Sequence, residues 1–162
     1  RLTRYARESR RELRLIEAIY LSNRLNKTLT SEKREEIIAR AMANARLTRC
    51  LAQSPEVTSA QELALDYLGE NQPCPLLEEN GCLLPQYRPL SCRLYGLDDK
   101  IGSLPERDEI LANLSRSVFL ALSGTLPGES LFRASFADVV SGRFIQTYFH
   151  YLGSLTPRHE ET

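Results

Sequence analysis

Three cysteines, Cys74, Cys82 and Cys92, fall within the 23-residue stretch Cys74–Gly96, which reads CPLLEENGCLLPQYRPLSCRLYG. Thiolates are the soft donors that zinc and iron–sulfur clusters prefer. The same stretch holds three of the eight prolines and two of the eight glycines, so no long helix or strand can run through it. Ligand bonds to a metal would replace the apolar core that such a loop cannot build for itself. The fourth cysteine, Cys50, is separated from Cys74 by 23 residues. By default a lone cysteine is a small buried apolar residue, and the other three make it the candidate fourth ligand.

The gaps between these cysteines, seven residues from Cys74 to Cys82 and nine from Cys82 to Cys92, are not the two-residue gap of a zinc knuckle or a redox CxxC pair. Local chemistry strengthens the pattern. Pro73 and Pro75 fix the backbone about Cys74, Gly81 lets the chain turn before Cys82, and Pro89 constrains the approach to Cys92. Four thiolates around Zn²⁺ or a [4Fe–4S] cluster leave net negative charge, which a partly buried site must balance with donors. Arg88 and Arg93 flank Cys92 and are candidates to neutralise a bound centre or hydrogen-bond its sulfurs. The plainer role for both is to hold loop carbonyls or helix ends.

Cys74-Pro75-Leu76-Leu77, Gly81-Cys82 and Arg88-Pro89-Leu90-Ser91-Cys92-Arg93-Leu94-Tyr95 together resemble the conserved block of the YkgJ-type family of zinc- or iron-chelating cysteine-cluster proteins. The match covers about one seventh of the chain. The chain departs from that pattern where the family carries an N-terminal cluster resembling CxxCxxxCC, since at most Cys50 stands there, and where Leu83, Leu84 and Pro85 replace the usual Ile-Tyr. The resemblance implies metal chelation through Cys74, Cys82 and Cys92 and implies no particular reaction. Long, irregular gaps rank a [4Fe–4S] cluster ahead of a zinc ion, because a cubane presents separate iron corners to scattered ligands.

The elements that must position these thiols read as helices. Leu13, Ile16, Ile19 and Tyr20 recur at spacings of three and four, which predicts a first helix from Arg4 to about Leu25. Arg1, Arg4, Arg7, Arg10, Arg11 and Arg14 crowd its start. They read as a solvated face stitched by pairs such as Glu8 with Arg11 and Glu12 with Arg14, or as a docking surface for an acidic protein partner. A second helix is expected from Thr30 or Ser31 to Gln53, with acids at its positive end and Ile37, Ile38, Ala41, Met42 and Ala45 as its buried stripe. Cys50 then lies in its last turn. Ser59 and Glu62 form a capping-box pattern for a short third helix that stops at Gly69.

Beyond the cysteine loop, Ser103 and Pro105 open a fourth helix with Ile110, Leu111, Leu114, Val118, Phe119 and Leu122 as core residues and Gly124 as its stop. Thr125–Ser130 is a turn on composition. A last helix is expected from Ser135 to Leu152, with Phe136, Val140, Phe144 and Tyr148 on one stripe and Ile145, Phe149 and Leu152 beside it, and with Gly142 as a close helix crossing. No alternating strand pattern is evident. The expected architecture is an all-α bundle of about five helices. It occupies residues 1–155, carries a metal-binding loop at 70–102 between helices three and four, and is followed by a flexible tail at 156–162.

Composition bounds what such a protein does. A chain of 162 residues can bury roughly two thirds of its unfolded surface and does not need a metal merely to fold. Basic and acidic residues balance at 21 each, which argues against coating nucleic acid or an anionic membrane. No apolar run approaches a membrane span and the start lacks a secretory signal, so reduced thiols in the cytoplasm are the expectation. His150 and His159 have no partners at ligand spacing, and there is no Gly-rich phosphate loop, HExxH pair or GxSxG elbow. Asp98, Asp99 and Asp138 read as helix caps, and Tyr87 and Tyr95 as residues packing the loop onto the bundle.

The sequence thus points to a cysteine-ligated metal protein with a structural, redox or metal-sensing role and no assigned catalytic residue. Its rivals are an interaction module with a zinc staple and an Arg-rich docking helix, and a thiol switch in which the three loop cysteines form a disulfide.

Overall fold

The computed structural model describes residues 12–52, 74–94, 104–128 and 131–155. Most of these residues are helical. In chain order the elements are β1 (Glu12–Arg14), α1 (Leu15–Thr28), α2 (Ser31–Ala52), β2 (Leu77–Glu78), β3 (Gly81–Cys82), a 3₁₀ turn (Pro85–Tyr87), α3 (Leu90–Leu94), α4 (Leu104–Ser123), β4 (Arg133–Ser135), α5 (Phe136–Val140) and α6 (Phe144–Leu155). Residues Arg1 to Arg11, the expected third helix after Ser59, Tyr95, Asp98, Asp99 and the tail with His159 lie outside the described residues.

Several expected elements form for the reasons the sequence gives. Thr30 Oγ1 accepts from the Lys33 N–H at 3.3 Å and so caps α2, which runs to Ala52. Ser135 Oγ accepts from the Asp138 N–H at 3.1 Å and caps α5, with Asp138 in its first turn. α4 ends where Gly124 takes a left-handed φ of 69° and donates to the Leu120 carbonyl.

Other expectations are corrected. The first helix does not include Glu12, Leu13 and Arg14, which form a strand antiparallel to β4 in the register Glu12↔Ser135, Leu13↔Ala134 and Arg14↔Arg133. Three residues are too few to show alternation, and the pairing is set by the distant partner. A second small antiparallel pair, β2 with β3, joins Leu77 to Cys82 and Glu78 to Gly81 inside the cysteine loop. The last helix is two helices, α5 and α6, because Gly142 adopts φ 78° and donates to the Val139 carbonyl, which ends the helical ladder there.

The core gathers Leu13 and the inward residues of α1 (Leu15, Ala18, Leu21, Leu25) with Ile37 and Ala41 of α2. It is completed by Leu76 and Leu84 of the loop, Phe119 of α4, and Phe132 to Phe144 at the C-terminal end. The five-residue α5 packs against both α1 and α2. Phe119 meets Tyr148 and Tyr151 edge-on, with ring centroids 5.8 and 5.6 Å away. α4 is half in the core only. Ala112, Ser115 and Phe119 are buried, whereas Ile110, Leu114 and Leu122, expected inside, are exposed, as are Ile145 and Phe149 of α6. A helix turns 100° per residue, so apolar residues spread round its circumference cannot all meet one core.

Arg14, expected on a solvated helix face, is only 7% exposed. Its Nε donates to Asp108 Oδ1 at 2.9 Å and its Nη2 to Asp108 Oδ2, a two-pronged pair that ties β1 to α4. The carboxyl of Asp108 is held below its ordinary range, chiefly by these bonds from Arg14. Ser115, buried in α4, accepts from the Ile16 N–H at 3.3 Å and satisfies an otherwise open donor at the start of α1.

Candidate metal centre

The cysteine loop is fastened at both ends and in the middle. Leu77 N–H donates to the Cys74 carbonyl at 2.9 Å and Leu83 N–H to the Leu76 carbonyl at 2.9 Å, which fixes the β2–β3 hairpin beside Cys74. Gly81 makes the hairpin possible with φ 113°, a conformation side chains rarely adopt. Further on, Glu17 of α1 accepts the Leu90 N–H at 3.0 Å, anchoring the start of α3 and with it Cys92. Tyr87 packs on the core and meets Tyr20 of α1 edge-on at 6.2 Å, with Arg24 lying over both rings, as expected of a residue that seats the loop.

These fastenings bring Cys74, Cys82 and Cys92 to the walls of one cavity of about 20 Å³. Leu21 of α1, Phe136 of α5 and Leu76, Leu77, Leu84 and Pro89 of the loop form its apolar lining. The thiols share this space without closing on a point: among the described residues no three His, Cys, Asp or Glu side chains are gathered as ligands of one ion. All four cysteines are unbridged. Cys50 is exposed in the last turn of α2 and is not part of the cavity wall.

Burial pushes the Cys74 thiol up to about 12, and the neighbouring thiols of Cys92 and Cys82 push the same way. A hydrogen bond from the Leu76 backbone and the positive charge of Arg40 act in the opposite direction, and burial wins. In the protein as it stands Cys74 is therefore a neutral thiol at physiological pH.

Arg88 lines the cavity with the cysteines, while its Nε donates to the Pro85 carbonyl at 3.2 Å. Arg93 donates through Nε to the Arg88 carbonyl at 2.8 Å and through Nη2 to the Gln86 carbonyl. Both arginines thus hold loop carbonyls, the plainer of their two expected roles. A wider cleft of about 250 Å³ adjoins the cavity, sharing Leu21, Arg88 and Pro89 and adding Tyr20 and Tyr87. His150 is exposed on α6.

Sequence reasoning missed Arg40. It sits mid-helix in α2, 34 residues before Cys74, and its Nη1 donates to the Leu77 carbonyl at 3.2 Å. Around it, Lys33 bridges Glu36 at 2.8 Å and also pairs with Glu78 on the hairpin. The one available signal was the i, i+3 and i, i+4 ladder of Lys33, Glu36 and Arg40, which by itself reads as an ordinary solvated helix face.

Among the described residues no helix is long and apolar enough to cross a membrane. No family model, no curated protein and no solved structure matches the chain. The resemblance of residues 74–96 to the YkgJ-type block therefore stands on its motifs alone.

Proposed function

We propose that the protein binds one metal centre through the thiolates of Cys74, Cys82 and Cys92. The observation that carries this reading is the shared cavity: three cysteines spread over 19 positions of sequence line a single small apolar space. Three half-buried thiols on the wall of one cavity are a donor set suited to a soft cation. Ionisation of Cys74, disfavoured in the protein alone, becomes favourable when a cation takes its charge.

Three cysteines line the cavity, one short of the four thiolates that hold a cubane. On this ground a single ion of the zinc type ranks ahead of the [4Fe–4S] cluster that the cysteine spacing favoured. Metal binding has to draw the three thiols closer together, and the fourth ligand is Cys50 or a group from outside the cavity wall. The role that follows is structural or metal-sensing, with the ion tightening a loop that its own hydrogen bonds already fasten.

Elemental analysis with an absorption spectrum, on protein purified without air, tests the reading. One zinc per chain in a colourless solution is the expected result. Cys82→Ser should then lower zinc content and thermal stability together, and unchanged zinc in that variant would sink the assignment. About four irons with a visible band lost in air would replace the ion by a cluster. No metal, with a disulfide forming under oxidant, would replace it by a thiol switch.

A further inference from the structure

The wider cleft beside the thiol cavity, about 250 Å³, joins apolar walls to positive charge that no acid answers. Ile16, Leu90 and Leu111 line it together with the rings of Tyr20 and Tyr87. Its charged side chains are Glu17, Arg88 and Arg93. Glu17 is already committed: one carboxylate oxygen accepts the Leu90 N–H at 3.0 Å and the other the Arg14 N–H at 3.4 Å. The arginines bond to backbone carbonyls, Arg88 through Nε and Arg93 through Nε and Nη2. Among the described residues neither has a carboxylate partner, so both terminal nitrogens of Arg88 and Nη1 of Arg93 keep their donors. Arg24 adds a third cation at the same end, its guanidinium 5.2 Å from the ring centroid of Tyr20 and 4.9 Å from that of Tyr87.

Such a wall selects a ligand by charge and by size. Guanidinium N–H groups beside an apolar surface bind carboxylates and phosphates through paired, charge-assisted hydrogen bonds. The carboxylate of Glu17 in the same wall repels a doubly charged ligand more than a singly charged one, and one charge costs less to desolvate than two. A carboxylate is therefore favoured over a phosphate monoester. An apolar cavity of about 150 Å³ holds benzene, so this cleft has room for about ten heavy atoms, a ring with a short acid chain. That is too little for more than a residue or two of a peptide.

We propose that this cleft is a binding site for a small apolar carboxylate of the arylalkanoate kind, with its ring against Tyr20, Tyr87 and Leu111 and its carboxylate held by Arg88 and Arg93. The site goes beyond the metal-binding reading and does not depend on it, because no cysteine lines the cleft.

The test titrates phenylpropionate into the protein by calorimetry, with phenylpropanol as its uncharged counterpart, and locates the site from backbone amide shifts in NMR spectra. The acid should bind about tenfold more tightly than the alcohol, and its affinity should fall with added salt. The shifts should centre on Tyr20, Tyr87, Leu90 and Leu111. Arg88→Gln and Arg93→Gln should each weaken the acid about fivefold and leave the alcohol unchanged. Arg116→Gln, on α4 and outside the cleft wall, should change neither.

Equal affinity for acid and alcohol would overturn the proposal, as would shifts centred on the exposed Ile145 and Phe149 of α6. Tighter binding of phenyl phosphate than of the acid would overturn it in favour of a phosphate ester, and no heat or shift at millimolar acid would remove the site. The comparison of acid with alcohol uses the wild type alone, so it decides the matter even where a variant fails to fold.

Discussion

The junction of β1, β4 and α4 and the cavity of the cysteine loop each bury a group that is or can be charged, and they treat it differently. At the junction Arg14 is nearly closed off from solvent and both prongs of its guanidinium are taken by Asp108. Ser115 and Glu17 satisfy the backbone donors beside it, at 3.3 and 3.4 Å. At the cavity the Cys74 thiol stays neutral because burial outweighs the help it receives, and the nearby Arg40, partly exposed, meets Glu36 and Glu78 only at ion-pair distances of 3.6 and 3.8 Å. A buried charge fully bonded by its neighbours belongs to the folded scaffold. A buried thiol kept neutral is a group whose charge the fold itself does not meet.

The largest effect expected belongs to the scaffold. Phe119→Ala removes a ring that is 2% exposed and in edge contact with Tyr148 and Tyr151. A cost of about 3–5 kcal/mol in urea unfolding should follow, and it should be the same whether or not zinc is present. A loss that zinc largely repairs would break the comparison, because it would show that the loop and the core are one cooperative unit stabilised by the ion.

The cavity makes a prediction of its own in alkali. The folded-state value for Cys74, about 12, lies above its ordinary 9.0. A group whose value is raised on folding contributes stability that is whole below the lower figure and is lost as pH climbs toward the higher one. Metal-free protein should therefore lose stability between about pH 9 and 12, and Cys74→Val should flatten that slope. Zinc should flatten it too, since a thiol already ionised by a metal has no proton left to lose. Unfolding midpoints at several alkaline pH values, with and without zinc, make the measurement. An identical slope in wild type and Cys74→Val would remove Cys74 from the buried set.

What was legible in the sequence follows the range of the interactions involved. α2 and α4 were readable because their ends are written locally, in Thr30 with its acids and in Gly124. The thiol cavity was half readable: proline, glycine and cysteine in one short stretch announced a held loop, and the three thiols do line one cavity. β1 and β4 were not readable, since three-residue strands have no periodicity and their pairing spans most of the chain. Gly142 was visible as an oddity in a helical pattern, but a glycine tolerated in a helix and a glycine that ends one look the same until φ is known. Arg14 was misjudged and Arg40 passed over for a common reason. Arginine on a charged helix face is ordinarily solvated, and only tertiary packing tells which ones are enclosed.

The smallest effect tests whether the junction is as complete as its hydrogen bonds suggest. Asp108 is half-exposed, with 53% of its side chain accessible, so solvent screens much of its attraction to Arg14. Asp108→Asn keeps an acceptor and the shape while removing the charge, and should cost about 1 kcal/mol at neutral pH. Its pH dependence is the sharper readout. The Arg14 bonds depress the folded-state value of Asp108 below its ordinary 3.8, so the pair's contribution is whole above that figure and fades as pH falls through the depressed one. Wild type and Asp108→Asn should therefore converge in stability only below about pH 4, as followed by thermal unfolding in acid. Convergence already at neutral pH would mean that Arg14 is held by packing alone.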